Sequence, residues 1–172
     1  MKTEAKYMKQ RALQTLLLAV LTGFVASCET AEDTGEHQHE DPAEEACEHA
    51  QLGPFVDVVG TADAASGPNV GIEHTAFRVT LPADGSDFVG YVSFAAATAG
   101  ELAVYLSRNV PYEVVDGSGT VVSASTFEST SPCSELAGAM TLDVPIGTVF
   151  IRFGPTATAD LLVVAEIGAH SD

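Results

Sequence analysis

The residues best suited to chemistry in this sequence are histidines set among acids. His37 and His39 stand two apart between Glu36, Glu40 and Asp41, and Glu-His pairs recur at Glu36-His37, Glu48-His49 and Glu73-His74. Imidazole and carboxylate together suit Zn²⁺, Cu²⁺ or Ni²⁺. A flexible tract loses conformational freedom on binding, so His37 and His39 are expected to hold an ion weakly and exchangeably. His49 lies two residues after Cys47, and His74 falls on a predicted strand. If those two edges meet, with Glu48 or Glu73 added, they make a three-ligand site. The expected metal ligands are therefore His37, His39, His49 and His74, with zinc or copper as the ion. The competing reading is a solvated acidic spacer that happens to carry two histidines.

Other chemistries find less support. Asp84-Gly85-Ser86-Asp87 and Asp116-Gly117-Ser118-Gly119 invite a calcium reading, but neither follows the 12-residue loop that closes on a Glu, and tight turns explain both. The sequence has no G-x-S-x-G elbow, H-E-x-x-H helix, P-loop or G-x-G-x-x-G fingerprint, so a non-enzymatic protein is expected. Ser123 to Ser134, rich in Ser and Thr, reads as an exposed loop suited to recognition. Tyr91, Tyr105 and Tyr112 would be the aromatic residues of a glycan surface, in a chain with no Trp.

The elements that must position these residues begin after an N-terminal export pattern. Lys2, Lys6, Lys9 and Arg11 precede an apolar run from Thr15 to Ala26. At about 12 residues the run is too short to span a bilayer core, which needs about 20, and the layout is that of a secretory signal. Val25-Ala26-Ser27-Cys28 directly after it resembles the lipobox of bacterial lipoproteins. That resemblance implies that residues 1–27 are removed and that Cys28 carries a diacylglyceryl thioether and an N-acyl chain such as palmitate. Three chains hold a protein to a membrane stably, where one is marginal. It implies a cell-envelope location; Glu29 rather than Asp after the cysteine favours the outer membrane if the cell has one. With Cys28 assigned to lipid, Cys47 and Cys133 remain in an oxidising compartment, where pairing is the default.

Charge narrows the partners. Of seven Lys+Arg and 24 Asp+Glu, four and one respectively precede Cys28, which leaves Arg78, Arg108 and Arg152 against 23 acids, a net charge of −20. Such a chain has no means of binding nucleic acid, whose phosphates need cationic partners, and should attract cations. Residues 28–46 have no large apolar side chain and no Lys or Arg, so they are expected to form a disordered, extended tether. Ala43 to Ala50 has room for a helical turn or two, with Pro42 at its start.

From residue 47 to 172 the pattern is that of one all-β domain. Leu102, Val104 and Leu106 alternate with Ala103 and Tyr105; Met140, Leu142, Val144 and Val149, Ile151, Phe153 do likewise. Leu161 to Val164 is apolar on both faces, which predicts a central strand. The expected fold is a single jelly-roll-like β-sandwich of about eight or nine antiparallel strands. Their expected spans are 54–61, 72–81, 87–97, 100–107, 110–115, 119–124, 135–144, 147–154 and 158–167.

Within about residues 72–167, four segments resemble bacterial pre-peptidase C-terminal domains: Gly90-Tyr91-Val92-Ser93-Phe94, Ala99-Gly100-Glu101-Leu102, the hairpin Tyr112 to Val122, and Gly147-Thr148-Val149-Phe150-Ile151-Arg152-Phe153-Gly154. The resemblance implies a jelly-roll accessory module that serves secretion, solubility or binding. The function expected from the sequence is thus a lipid-anchored, non-enzymatic cell-envelope protein that captures divalent metal. The alternative is an interaction or structural module for an envelope protein or glycan partner, with no metal role.

Overall fold

The computed structural model describes residues 41–122, 124–130 and 132–167. Cys28, His37, His39, the export signal and most of the expected tether lie outside these residues. The order of elements is α1 (Pro42–Leu52), β1 (Phe55–Val59), a 3₁₀ turn (Ala64–Ser66), β2 (Ala76–Thr80), β3 (Ala83–Asp84), β4 (Asp87–Ala96), β5 (Gly100–Leu106), β6 (Tyr112–Asp116), β7 (Gly138–Val144), β8 (Gly147–Thr156) and β9 (Asp160–Ile167).

The strands form two sheets, β1-β2-β9-β5-β7 and β3-β4-β8-β6, an all-β sandwich as expected. Alternation decides which side chains meet between them, because successive residues of a strand point to opposite faces. Phe77, Val79, Leu102, Val104, Met140, Leu142, Ile151, Phe153, Leu161 and Val163 all turn inward and are buried. The two-sided apolar strand β9 is central, between β2 and β5. Its inner residues Leu161, Val163 and Ala165 enter the core, while Leu162 and Val164 pack on the outer side.

Three expectations are corrected. One strand pair is parallel, β1 with β2. After β1 the chain crosses to the other sheet, where Thr61 bridges Tyr91 and Asn69 bridges Ser93, and then returns to lay β2 beside β1 in the same direction. Among the described residues of 119–124 no strand forms: Val121 bridges Val115 of β6 and Ala124 bridges Leu142 of β7, which lie in different sheets, so no ladder extends. Asp116 Oδ1 accepts from the backbone of Ser118 and Thr120 and from the Ser118 hydroxyl. These bonds, the Ser118 hydroxyl foremost, hold the Asp116 carboxyl below its usual range. A tight turn therefore accounts for this loop.

The third correction concerns the tether boundary. Residues 42–46, assigned to the tether although Ala43 to Ala50 had room for a helical turn or two, open an 11-residue helix. Asp41 caps it by accepting from Ala43 N at 3.0 Å, Pro42 starts it, and Glu44 and Glu45 sit in its first turn. The helix lies on the outer face of the five-stranded sheet. Ala46 and Ala50 are buried there against Ala76, Tyr105, Leu136 and Val164. Small side chains at i and i+4 let the helix approach the sheet closely. Cys47 on α1 is joined to Cys133 by a disulfide, Cα to Cα 5.9 Å across 86 positions, so the expected pairing is present.

Candidate metal centre

Helix α1 sets two potential ligands on one flank. Glu45 and His49 are four residues apart, so both project from the same side of the helix, beside the buried Ala46 and Ala50. The third arrives from the turn that precedes β2. His74 has φ 56, the one positive value at a non-glycine among the described residues. Left-handed backbone is disfavoured for side chains with a Cβ, and such positions concentrate at functional sites.

The three groups converge. Glu45 Oε1 lies 2.6 Å from His74 Nδ1 and 3.8 Å from His49 Nε2, and the two ring nitrogens are 3.3 Å apart. Among the described residues these are the His, Cys, Asp and Glu side chains that gather closely enough to hold an ion. The magnitudes can be tested against coordination chemistry. Bonds of about 2.05 Å in a tetrahedron give ligand–ligand edges of about 3.3 Å, close to the mean of the three sides here. A point about 2.05 Å from all three atoms lies about 0.7 Å off their plane, as in a regular tetrahedron. The rings are edge to face with centroids 5.3 Å apart. Two imidazoles on one tetrahedral ion place theirs roughly 5.2 Å apart.

Support for the ligands follows the usual pattern for imidazole. His49 Nδ1 is 3.4 Å from the carbonyl oxygen of Gly53, which favours a proton on Nδ1 and leaves the Nε2 lone pair toward the cluster. Side-chain exposure is graded, from 13% at His49 and 24% at Glu45 to 65% at His74, so an ion would enter from the His74 side. Beneath the helix, Glu166 on β9 is buried at 4% exposure. Burial first, and then the charge of Glu45, push its carboxyl up to about 7; Glu73 adds to the rise and His74 opposes it. Burial, with the charges of Asp41 and Glu166, likewise pushes Tyr105 up to about 12.

The expected residues are thus placed unevenly. His49 and His74 come together as anticipated, but the acid between them is Glu45, while Glu48 and Glu73 are exposed and outside the triangle. The signal for Glu45 was its spacing of four from His49, which has meaning only once a helix is recognised. Glu166 was signalled by a lone acid at the end of an apolar strand. Tyr105 is buried beneath α1, whereas Tyr91 and Tyr112 belong to the other sheet, so the three tyrosines form no common glycan surface. An open depression of about 450 Å³ on the same outer face is lined by Phe55, Asp57, Arg78, Ser107, Arg108 and Asp160. Its two arginines are already engaged: Arg78 lies 4.0 Å from the Phe55 ring centroid and 4.0 Å from Asp57, and Arg108 donates to Thr158. No helix among the described residues is long and apolar enough to cross a membrane. Compared with known proteins, the chain matches no family model and no curated sequence.

Proposed function

We propose that this chain is a lipid-anchored, non-enzymatic protein of the cell envelope that captures a divalent transition-metal ion at Glu45, His49 and His74. The observation that carries this reading is the triangle of two imidazole nitrogens and one carboxylate oxygen, with edges suited to a single tetrahedral ion. Nitrogen-rich ligands select Zn²⁺ or Cu²⁺ over Ca²⁺ and Mg²⁺, which prefer oxygen. His37 and His39, in the acidic stretch just before α1, would collect ions weakly and raise their concentration near the folded site. Cys28, by its resemblance to a lipobox cysteine, would supply the anchor, and the outer membrane is the favoured location. The resemblance to pre-peptidase C-terminal domains fits a binding module rather than a catalyst.

Calorimetric titration of the chain from Glu29 onward with zinc and with copper tests the proposal. One tight equivalent is expected. His49→Ala or His74→Ala should weaken it by more than about 100-fold, beyond the 10–100-fold typical for loss of an outer-shell partner. Replacing His37 and His39 should remove only weaker additional binding. Absence of zinc and copper binding in the unaltered chain would refute the metal reading.

One observation favours the second reading, an interaction module for an envelope partner. Strand β1 is the edge of its sheet and exposes Phe55, Val56 and Val59, with Leu52 beside them at the end of α1. An apolar free edge is a template for strand addition by another protein.

A further inference from the structure

We infer that Glu166 is the fourth ligand of this centre, so that the ion is enclosed by two imidazoles and two carboxylates. The inference rests on the metal reading proposed above and adds the residue that decides what kind of centre it is. Its first support is an orphaned atom. Glu166 Oε1 is the one buried side-chain oxygen or nitrogen without a hydrogen-bond partner among the described residues. Buried polar groups are almost always satisfied, and a buried carboxylate with nothing to accept from carries a large desolvation penalty. A cation within bonding distance removes that penalty and gives the residue a reason to be there.

Its second support is position. Strands β2 and β9 pair antiparallel with Ala76 opposite Val164. On its other side β9 pairs with β5, where Glu166 stands opposite the small side chain of Ala103. Leu162 and Val164 share the outer face of β9 with Glu166, and that face packs against α1, which bears Glu45 and His49. The charges acting on Glu166 are those of Glu45, His74 and Glu73. Its oxygens stand outside the 4.8 Å grouping of Glu45, His49 and His74, so ligation requires the Glu166 side chain to turn toward them when the ion binds, while His74 marks the side open to solvent.

The chemical consequence is a closed site. Three protein ligands leave one position for water, which a bound zinc ion activates, and catalytic zinc centres are built that way. Four protein ligands leave no such position and hold the ion without using it. Glu166 thus separates a capturing protein from a hydrolase within the same set of residues.

The test uses the chain from Glu29 onward, with zinc affinity measured by competition against a chromophoric chelator and coordination read from the visible spectrum of bound Co²⁺. Three proteins are compared: unaltered, Glu166→Gln and Glu73→Gln. Glu73 also acts on Glu166 through its charge but is exposed and outside the triangle, so its variant reports the effect of losing one nearby negative charge. Loss of ligation at Glu166 should weaken zinc by more than about 100-fold, beyond the range for an outer-shell partner, and shift the Co²⁺ bands as water replaces the carboxylate, whereas Glu73→Gln should leave the bands in place. A Glu166→Gln protein that binds like the Glu73 variant with an unchanged Co²⁺ spectrum would overturn the inference while leaving the three-residue site standing. Failure of the unaltered chain to take up either ion would instead remove the reading beneath it. A measurement on the unaltered protein guards against misfolding of the variant. On zinc addition the carboxyl ¹³C signal of Glu166 should move in step with the ring signals of His49 and His74, and a stationary Glu166 signal would equally overturn the assignment.

Discussion

The disulfide offers the sharpest test of how this fold holds its site. Cys47 and Cys133 are 86 positions apart, so the bridge encloses nearly everything from α1 to the loop before β7. The chain-entropy relation for a ring of that size gives about 4.5 kcal/mol of stabilisation through the unfolded state. With about 2.1 cal/mol/K of unfolding entropy per residue over roughly 130 residues, that converts to a fall in Tm of about 16 °C. Bridges often deliver half of the ideal value, so the Cys47→Ser, Cys133→Ser variant is expected to melt about 8–16 °C lower. The effect should not be uniform. The helix contacts the sheet through the small buried side chains of Ala46 and Ala50, and its 11 residues are too few for stability in isolation, which takes about 12–15 even in favourable sequences. The sandwich core between the sheets does not involve α1.

Thermal unfolding followed by circular dichroism in EDTA measures the global loss, and amide hydrogen exchange at 25 °C measures the local one. Amides of α1 should lose protection far more than those of β5 or β9. A Tm lowered by less than about 3 °C, together with unchanged protection in α1, would refute the reasoning. It would mean that packing on Ala76, Tyr105 and Val164 holds the helix unaided.

Two further outcomes follow from the fold. Gly154 has φ 101, and a Cβ there would come within 2.4 Å of the carbonyl oxygen of Phe88, where the β4–β8 register shifts. Gly154→Ala should cost about 2–3 kcal/mol in urea unfolding, and a cost below about 1 kcal/mol would contradict the geometry. Glu166 makes the metal-free protein sensitive to pH. Its folded carboxyl titrates at about 7 against 4.5 when unfolded, so between these values the folded state keeps a proton that the unfolded state has lost. Stability is greatest below pH 4.5 and falls as pH rises through 7, by about 3 kcal/mol at most. In EDTA, Glu166→Gln should therefore gain on the unaltered protein from pH 4.5 to 8, and parallel stability curves would rule this out.

Much of the sandwich was legible because it depends on alternation. Leu161 to Val164 announced a strand covered on both sides, and the structure places it between β2 and β5 with α1 over it. Helix α1 was legible only as a turn or two over Ala43 to Ala50, for a physical reason. Its buried face is alanine, so no large apolar residue recurs at helical spacing, and the acids around it read as tether. Glu45 was missed because adjacency in sequence pointed to Glu48 and Glu73 instead of to helical spacing from His49. The parallel β1–β2 pair was equally hidden, because it is set by how residues 61–70 cross to β4, and no local pattern encodes that crossing. Glu166 needed the packing. Only when α1 is known to lie over the outer face of β9 does an acid near the end of that strand come under the influence of Glu45 and His74.

On the metal reading proposed above, attraction and selection come from different residues. With 23 acids against three arginines after Cys28, the chain draws cations of every kind toward its surface, and more strongly at low salt. That field cannot tell calcium from zinc. Distinction begins where Glu45, His49 and His74 replace an oxygen cage by two nitrogens at tetrahedral spacing, which disfavours the six to eight oxygen ligands that calcium requires. The ligands come from a helix and the turn before a strand, and the disulfide ties that helix to the loop before β7, so the helix is held over the sheet before any ion arrives. A preformed triangle would spare its ligands much of the ordering entropy of binding. On that reading the folded site is the tight one, and variants at His37 and His39 should alter only weaker binding.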